Sequence, residues 1–412
     1  MSSPFPLTVG ERNIFPYFQP IVGADQRSII GYEILGRYLY HDAIYSLGPY
    51  FHEDSIDFTQ KQRTDRIIRT KALNTIQQFS FIQKSYFFNL DPEIFTVEED
   101  SLFFQQLTSL FDTHADIHPT QIVLEITETD FLEDASSFLE RLSKYRDLGC
   151  RIAVDDLGKG FSNLERVALL QPHILKVDLH LVKNSVDSQS HRDVLYALSI
   201  LSERIGAQLL FEGIETTDQL ENAWKNGAQY YQGYLFSKPK PKPIETVDSV
   251  DMFHDQLEQM IQEETERLEK QYAYEEELNH LLKRMLLIIP FTKDYNQYVQ
   301  RICARLPQHC FRVYVCNRLG YQLSGNHLKQ THGRWHILAH YRNKNWSWRP
   351  YFLKNIVKME IHQSGFLSDP YTDIETNELI QTFSFPVRED TYLFIDLKRP
   401  AKHKSKKNRV SS

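Results

Sequence analysis

Short apolar runs recur along the first part of the chain, and each stops on a polar residue. Ser28-Ile-Ile-Gly-Tyr stops at Glu33, Tyr86-Phe-Phe at Asn89, Ile122-Val-Leu at Glu125 and Leu209-Leu-Phe at Glu212. Ile174-Leu-Lys-Val-Asp carries Lys176 and Asp178 in the same way, and Arg151-Ile-Ala-Val runs into the adjacent acids Asp155 and Asp156. Such runs predict buried strands, and the glycines at 158 and 160 predict a loop directly after the acid pair. Between the strands lie helix-length segments over 62–79, 131–148, 192–205 and 217–226. Strands alternating with amphipathic helices predict a parallel sheet, and their number over about 240 residues predicts an α/β fold, a TIM-like (β/α)8 barrel. In that fold the strand ends converge on one face, so residues distant in sequence form one constellation where barrel enzymes work.

The first strand, Pro16 to Val22, is joined to the strand carrying Glu33 by the short turn Gly23-Ala-Asp-Gln. A turn this short makes the two strands antiparallel, a departure from a regular barrel. The last strand is predicted over Ala228 to Phe236, with Gln232 and Gly233 near its functional end, and Pro239, Pro241 and Pro243 close the domain. The expected division is a barrel over 1–245, a connecting helix over 246–289, a second domain over 290–400 and a basic, solvated tail over 401–412. Phe253, Leu257, Met260, Leu268, Tyr272, Leu278, Leu281 and Met285 form one helical stripe. Glu264 and Glu275 interrupt it, which favours a helix packed on its own domains over a dimeric coiled coil. Beyond Pro290, Phe311 to Cys316 with Tyr321 to Ser324, and Leu379 to Phe385 with Thr391 to Asp396, read as two hairpins of an α+β domain.

Length and composition fit this plan. A chain of 412 residues with 41% apolar residues holds two packed domains. Its net charge of −7 argues against nucleic acid as the main partner. Cys150, Cys303, Cys310 and Cys316 lack zinc-site spacing and read as reduced, structural thiols. Residues 1–12 have no apolar signal core, and the run from Met285 to Ile289 is far too short to span a bilayer, so a cytoplasmic protein is expected.

The chemistry begins at the acid pair. Two neighbouring carboxylates at the end of a strand repel each other and lose hydration when enclosed, and a divalent metal ion is the economical compensation. Taken alone, Glu33 or Glu125 would read as a turn or capping residue, and Lys176 as the partner of a barrel acid. Their joint order along the chain points to a shared site.

These residues resemble the EAL domains, a family of cyclic di-GMP phosphodiesterases. The resemblance rests on Glu33-Ile-Leu35 followed by Gly36-Arg37, then Asn89-Leu-Asp91, Leu124-Glu-Ile-Thr-Glu128, Asp155-Asp-Leu-Gly158, Leu175-Lys-Val-Asp178, Phe211-Glu-Gly-Ile-Glu215 and Gln232-Gly-Tyr234, all in order. It implies that Glu33, Asn89, Glu125, Asp155 and Asp156 hold two Mg²⁺ or Mn²⁺ ions, with Asp155 bridging them. Two such ions about 3.5 to 4 Å apart can activate a water and stabilise the attacking and leaving oxygens of a phosphodiester. By the same resemblance Glu212 is the general base, and Lys176 orients the hydroxide or neutralises developing charge. Cyclic di-GMP would contact Gln19, Leu35, Arg37, Gln232 and Glu215, and Glu128 would steady the loop after Asp156. Asp178 is read equally well as structural or functional. That loop departs from the family pattern at Leu157, Lys159, Phe161 and Asn163, so a receptor that binds without turnover is carried as the alternative.

The whole chain also resembles the YkuI type of EAL protein, in which a helix and a PAS-like or Cache-like domain follow the barrel. Trp346-Ser-Trp-Arg-Pro-Tyr-Phe352 and Ser368-Asp-Pro-Tyr-Thr-Asp373 carry this part. Trp346, Trp348, Arg349 and Tyr351 read either as an aromatic cage with a cation for a small anionic ligand or as a core corner capped by Arg349. Asp369 and Asp373 are placed like ligand acids of a sensor domain, and Asp-Pro also starts turns. A homodimer is the family expectation.

Overall fold

The computed structural model describes residues 10–79, 84–92, 94–127, 135–158, 164–185, 188–247 and 250–398. The chain divides into two compact units, Met1–Met260 and Ile261–Ser412.

Among the described residues nine strands make the sheet of the first unit: β1 Ile14–Gly23, β2 Ser28–Tyr40, β3 Ala43–Ser46, β4 Ser85–Leu90, β5 Ile122–Thr127, β6 Arg151–Leu157, β7 Ile174–Val177, β8 Gln208–Phe211 and β9 Tyr230–Gln232. β2 and β4 to β9 pair in parallel, in the order β2-β4-β5-β6-β7-β8-β9. β1 closes the barrel by pairing antiparallel with both β2 and β9, as the short turn after Gly23 requires. β3 folds back on β2 through His41 and Asp42, whose φ values of 47° and 60° belong to a tight two-residue hairpin.

One residue from each barrel strand fills the interior: Ile21, Ile30, Phe87, Val123, Ala153, Ile174, Leu210 and Tyr230 form a buried cluster of their own. Side chains alternate along a strand, so the residue two places on points to the same interior. Counting two places on from that layer gives Asn89, Glu125, Asp155, Lys176, Glu212 and Gln232, and two places back on antiparallel β1 gives Gln19. Glu33 lies opposite Gln19 and level with Phe87. On the other seven strands the apolar plug and the polar ring above it are therefore one consequence of strand register, while on β2 a bulge opposite Ile21 and Val22 shifts the count so that Glu33, three places after Ile30, joins the ring.

The helices around the barrel begin where side chains cap them. Asp57 accepts from the Thr59 N–H at the start of Phe58–Gln78, and Ser188 from the His191 N–H at the start of Gln189–Ile205, so both start earlier than periodicity alone predicts. Ala135–Leu148 ends where expected; its predicted start at Phe131 lies outside the described residues. Thr217–Lys225 opens on a reciprocal Thr216–Gln219 capping box. β9 is much shorter than the stretch from Ala228 to Phe236, because the chain turns at Gly233 onto Ile214. A Cβ at Gly233 would stand 2.1 Å from the Ile214 carbonyl oxygen.

The helix Val250–Ile288 comes next. Phe253, Leu257 and Met260 are buried in the core of the first unit, and Leu278, Leu282 and Met285 in that of the second. Leu268 and Tyr272, in the middle of the stripe, are exposed. All four cysteines are buried and free, and burial pushes the Cys150 thiol up to about 12. Among the described residues no helix is long and apolar enough to cross a membrane.

The second unit is an α+β arrangement. Its strands are β10 Cys310–Cys316, β11 Asn326–Lys329, β12 Trp335–Leu338, β13 Phe366–Leu367, β14 Tyr371–Thr372, β15 Leu379–Arg388 and β16 Thr391–Lys398, in the order β12-β11-β10-β16-β15-β13 with β14 beside β15. The predicted hairpin of β15 and β16 forms. The other forms only at its turn, where the Asn317 N–H bonds the Tyr321 carbonyl at 2.9 Å and the Leu323 N–H the Val315 carbonyl at 2.7 Å around a Cys316–Gln322 bridge, and the ladder of β10 continues with β11 instead. The Ser324 hydroxyl accepts the Val315 N–H at 3.1 Å, taking a bond that a continuous ladder would have used.

Phe253 packs edge-on against Tyr231 and Phe236 at 5.5 and 5.4 Å and is fully buried. Phe253→Ala is expected to destabilise the barrel by about 3 to 5 kcal/mol. Urea unfolding followed by tryptophan fluorescence checks this, and an unchanged barrel midpoint refutes the packing described.

Candidate functional site

The polar ring closes on one cation. Lys176, on β7 and 0% exposed, places its Nζ 2.6 Å from Glu212, 2.8 Å from Glu125, 3.1 Å from Asp155 and 3.8 Å from Glu33. Four carboxylates face one ammonium, so the cluster carries a formal charge of −3 if all are ionised. Burial alone would lower the Lys176 pKa, and the surrounding carboxylates overrule it and keep the amine protonated. Burial pushes the Glu125 carboxyl well above the ordinary range against the pull of Lys176, with Glu33, Asp155 and Glu212 adding to the rise. Glu212 is pushed up by burial and then by Asp155, although its side chain keeps 22% exposure toward the mouth.

Neighbouring amides fix the acids. Asn89 donates to Glu33 Oε1 at 3.3 Å, and Gln232 donates to Glu33 Oε2. Asp155 accepts the N–H of Asp156 at 2.8 Å. Asp156 itself has φ 60°, and the β6–β7 register slips between Val154 and Leu157, so the acid pair sits on a bulge at the strand end. A left-handed backbone at a non-glycine residue costs of order 1 to 3 kcal/mol, a strain typical of sites that re-aim a side chain.

The other residues named from the sequence fall in two groups. Gln19 and Gln232 are buried in the ring, and Gln19 reaches the Ser237 carbonyl at 3.5 Å. Leu35 and Arg37 continue the Glu33 face of β2 outward; Arg37 bonds its neighbour's carbonyl, Gly36 O, at 2.9 Å and lies 5.6 Å from the Tyr17 ring. Glu215 faces Lys183 at 3.3 Å, and Asp178 caps the next helix by accepting the His180 N–H at 2.6 Å. Glu128, Lys159, Phe161 and Asn163 lie outside the described residues. Motif reasoning misses Tyr17, whose ring lies 5.6 Å from the Arg37 guanidinium; Tyr17 is two places before Gln19 on β1, so the alternation that marks the ring marks it as well.

All the donors are oxygen or amide groups, which suits a hard divalent cation. The buried Oε2 of Glu125 makes no hydrogen bond, as a ligand atom awaiting a cation would. Among the described residues, however, no three His, Cys, Asp or Glu side chains close on a point of their own. They close on the Lys176 ammonium. A separate cavity of about 490 Å³ lies at the opposite end of the barrel, lined by strand-start residues such as Ser85, Arg151 and Tyr230, and contains none of this cluster.

With this geometry established, the family is settled by comparison. The EAL domain matches residues 7–239, more than half of the chain. This chain belongs to the EAL-domain family. Residues 244–402 match the EAL-domain associated signalling protein domain. Across its length this EAL chain is 37% identical to the EAL-domain containing protein YkuI of Bacillus subtilis, covering 96% of this chain and 97% of YkuI. The crystal structure of YkuI in complex with c-di-GMP and calcium aligns over 95% of this chain and 97% of that one, at a TM-score of 0.88 and 36% identity. The EAL region is also 27% identical to the cyclic di-GMP phosphodiesterase RocR of Pseudomonas aeruginosa, over 55% of this chain and 57% of RocR.

In the second unit Arg349 lies over the rings of Trp346 and Trp348, at 4.9 and 5.5 Å. Trp348 is exposed, and so is Asp369. The side chain of Tyr351 is outside what is described. Asp373, not Asp369, is the acid that lines a cavity with Trp346 and Arg349.

The excess negative charge of the Lys176 cluster has a stability consequence. Glu125 holds its proton more tightly folded than unfolded, so stability is present at low pH and is lost as pH rises above the ordinary value of 4.5 toward the raised folded one. Glu125→Gln is expected to flatten that loss and to stabilise the metal-free protein by the order of 1 kcal/mol at neutral pH. Chemical denaturation across this pH range, with a chelator present, reads both effects; an equally steep decline in the variant counts against it.

Proposed function

We propose that this chain hydrolyses cyclic di-GMP to linear pGpG at the Lys176 cluster, with Mg²⁺ or Mn²⁺ as cofactor. The observation that carries the reading is the Lys176 ammonium, 2.6 Å from Glu212 among oxygen donors on the face where barrel enzymes do their chemistry. The named activity of RocR and the nucleotide and calcium in the YkuI crystal support it. Glu33, Asn89, Glu125, Asp155 and Asp156 would hold the ions, which supply Lewis acidity toward water and a phosphoryl oxygen. Glu212 retains solvent access and a raised pKa, so it is suited to take the proton of an attacking water. Lys176 holds Glu212 by direct contact and sets a fixed positive charge where negative charge grows in the transition state. The amides of Gln19 and Gln232 suit guanine or ribose edges, and Arg37 suits a phosphate. The reading extends to a cytoplasmic homodimer in which a sensory domain over 290–400 tunes the barrel over 1–245 through the connecting helix.

A second reading, a receptor that binds cyclic di-GMP without turnover, is favoured by the position of Lys176 at the point where the carboxylates converge. The loop residues Leu157, Lys159 and Phe161 point the same way.

Purified protein with Mn²⁺ or Mg²⁺ is expected to release pGpG. Glu212→Gln is expected to lower kcat by about 10²- to 10⁴-fold while nucleotide binding persists. Chromatographic product analysis decides the matter: tight binding with no linear product under either metal rejects hydrolysis and leaves the receptor. In the receptor case, replacing Leu157, Lys159 and Phe161 with Phe, Thr and Tyr is expected to restore turnover; a replaced loop that still yields no product removes the loop as the cause.

A further inference from the structure

The second unit encloses a cavity of about 110 Å³ that no part of the proposed hydrolysis uses. One part of its lining is cationic and aromatic. Arg349 lies 4.9 Å from the centre of the Trp346 ring and 5.6 Å from that of Tyr371. Trp346 is itself anchored, donating its indole N–H to Gln322 at 2.8 Å, while Gln322 donates to Asn326 at 2.9 Å. This wall is held in place before any ligand arrives.

The rest of the lining is acidic. Arg312 forks onto Asp373 at 3.0 and 2.8 Å and also bonds Asp396 at 2.9 Å and Glu375 at 3.2 Å. Three carboxylates therefore surround one guanidinium. Asp396 is enclosed and accepts a further bond from Thr382 at 2.7 Å, and Asp373 accepts two from Thr376. Glu375 differs from both in keeping 40% side-chain exposure. The neighbouring Ile374 is 79% exposed, so the loop carrying these two residues forms the cavity mouth.

We propose that this cavity binds a small zwitterion, an α-amino acid with a short side chain, its carboxylate on Arg349 and its ammonium at Glu375 and Asp373. Size sets the first limit: a cavity of 150 Å³ holds the six non-hydrogen atoms of benzene, so this one encloses about four or five, the backbone of an α-amino acid, and leaves a short side chain at the mouth. Charge sets the second. A simple carboxylate would meet three acids, and a simple amine would meet Arg349, whereas a molecule bearing both charges is matched on each side. The inference goes beyond the hydrolase reading and stands or falls independently of it.

Calorimetric titration of the full chain with glycine, L-alanine and L-serine tests it, with propionate and isopropylamine as half-ligands. At least one of the amino acids is expected to bind saturably, and each half-ligand about tenfold or more weaker. Arg349→Gln and Glu375→Gln, each confirmed folded by circular dichroism, are each expected to weaken that binding by about tenfold or more. Should one variant fail to fold, the other decides. No saturable heat from any of the amino acids at millimolar concentration overturns the proposal. So does a half-ligand that binds as tightly, or full affinity retained in the folded variants.

Discussion

A lysine ammonium sealed inside a barrel is unfavourable unless anions surround it, and Lys176 is surrounded by four. Taking the amine out of water disfavours its charge, and the carboxylates reverse that preference. The reversal works only while the middle of β2 and the ends of β5, β6 and β8 are held level around β7. A slip of one residue in any of these strands would turn its acid outward and an apolar side chain inward. The ion cluster and the barrel register therefore specify each other, and the apolar layer two residues below sets the level at which the charges stand.

The overcompensation matters as much as the pairing. One ammonium among four carboxylates leaves the cluster short of positive charge, and Glu125 Oε2 has no hydrogen-bond donor. A purely structural ion pair has no use for either feature, since each raises the free energy of the folded chain. Both become useful when a further cation or a polarised water joins the cluster. The strained backbone at Asp156 belongs to the same logic: a left-handed residue on a bulge persists because the strands on either side fix its position.

Much of this was legible in the sequence because β structure has a period of two and polar residues rarely end apolar runs by chance. Asn89, Glu125, Asp155 and Glu212 each announced a strand end, whereas Glu33, read in the same way, stands midway along β2, which runs on to Tyr40 to pair with β1 and β3. The antiparallel first strand followed from a turn too short to cross over. Lys176 was visible, but its place at the centre was not, since the distances among four strand ends depend on barrel closure. Features decided by side-chain hydrogen bonds were hidden as well. The helices starting at Phe58 and Gln189 take their first turns from Asp57 and Ser188, and Ser324 diverts the hairpin expected after β10. In the second unit Asp369 and Asp373 looked alike, and only the fold shows that Asp373 faces Arg312 while Asp369 is exposed.

The two units repeat one device with different outcomes. Each buries a cation among several carboxylates, Lys176 in the barrel and Arg312 in the second unit. Around Arg312 the acids have other donors: Thr382 for Asp396, Thr376 for Asp373 and Tyr341 for Glu375. A guanidinium also presents five N–H groups in a fixed fork, which distributes bonds among several acids without strain. That network is held from several sides, with Glu375 its half-exposed member. Lys176 has three donors to share among four carboxylates, and one of those carboxylates keeps an unused buried oxygen. Four carboxylates around one ammonium thus leave a buried oxygen unused where the barrel's strand ends converge, whereas the three around one guanidinium all find further donors within the second unit.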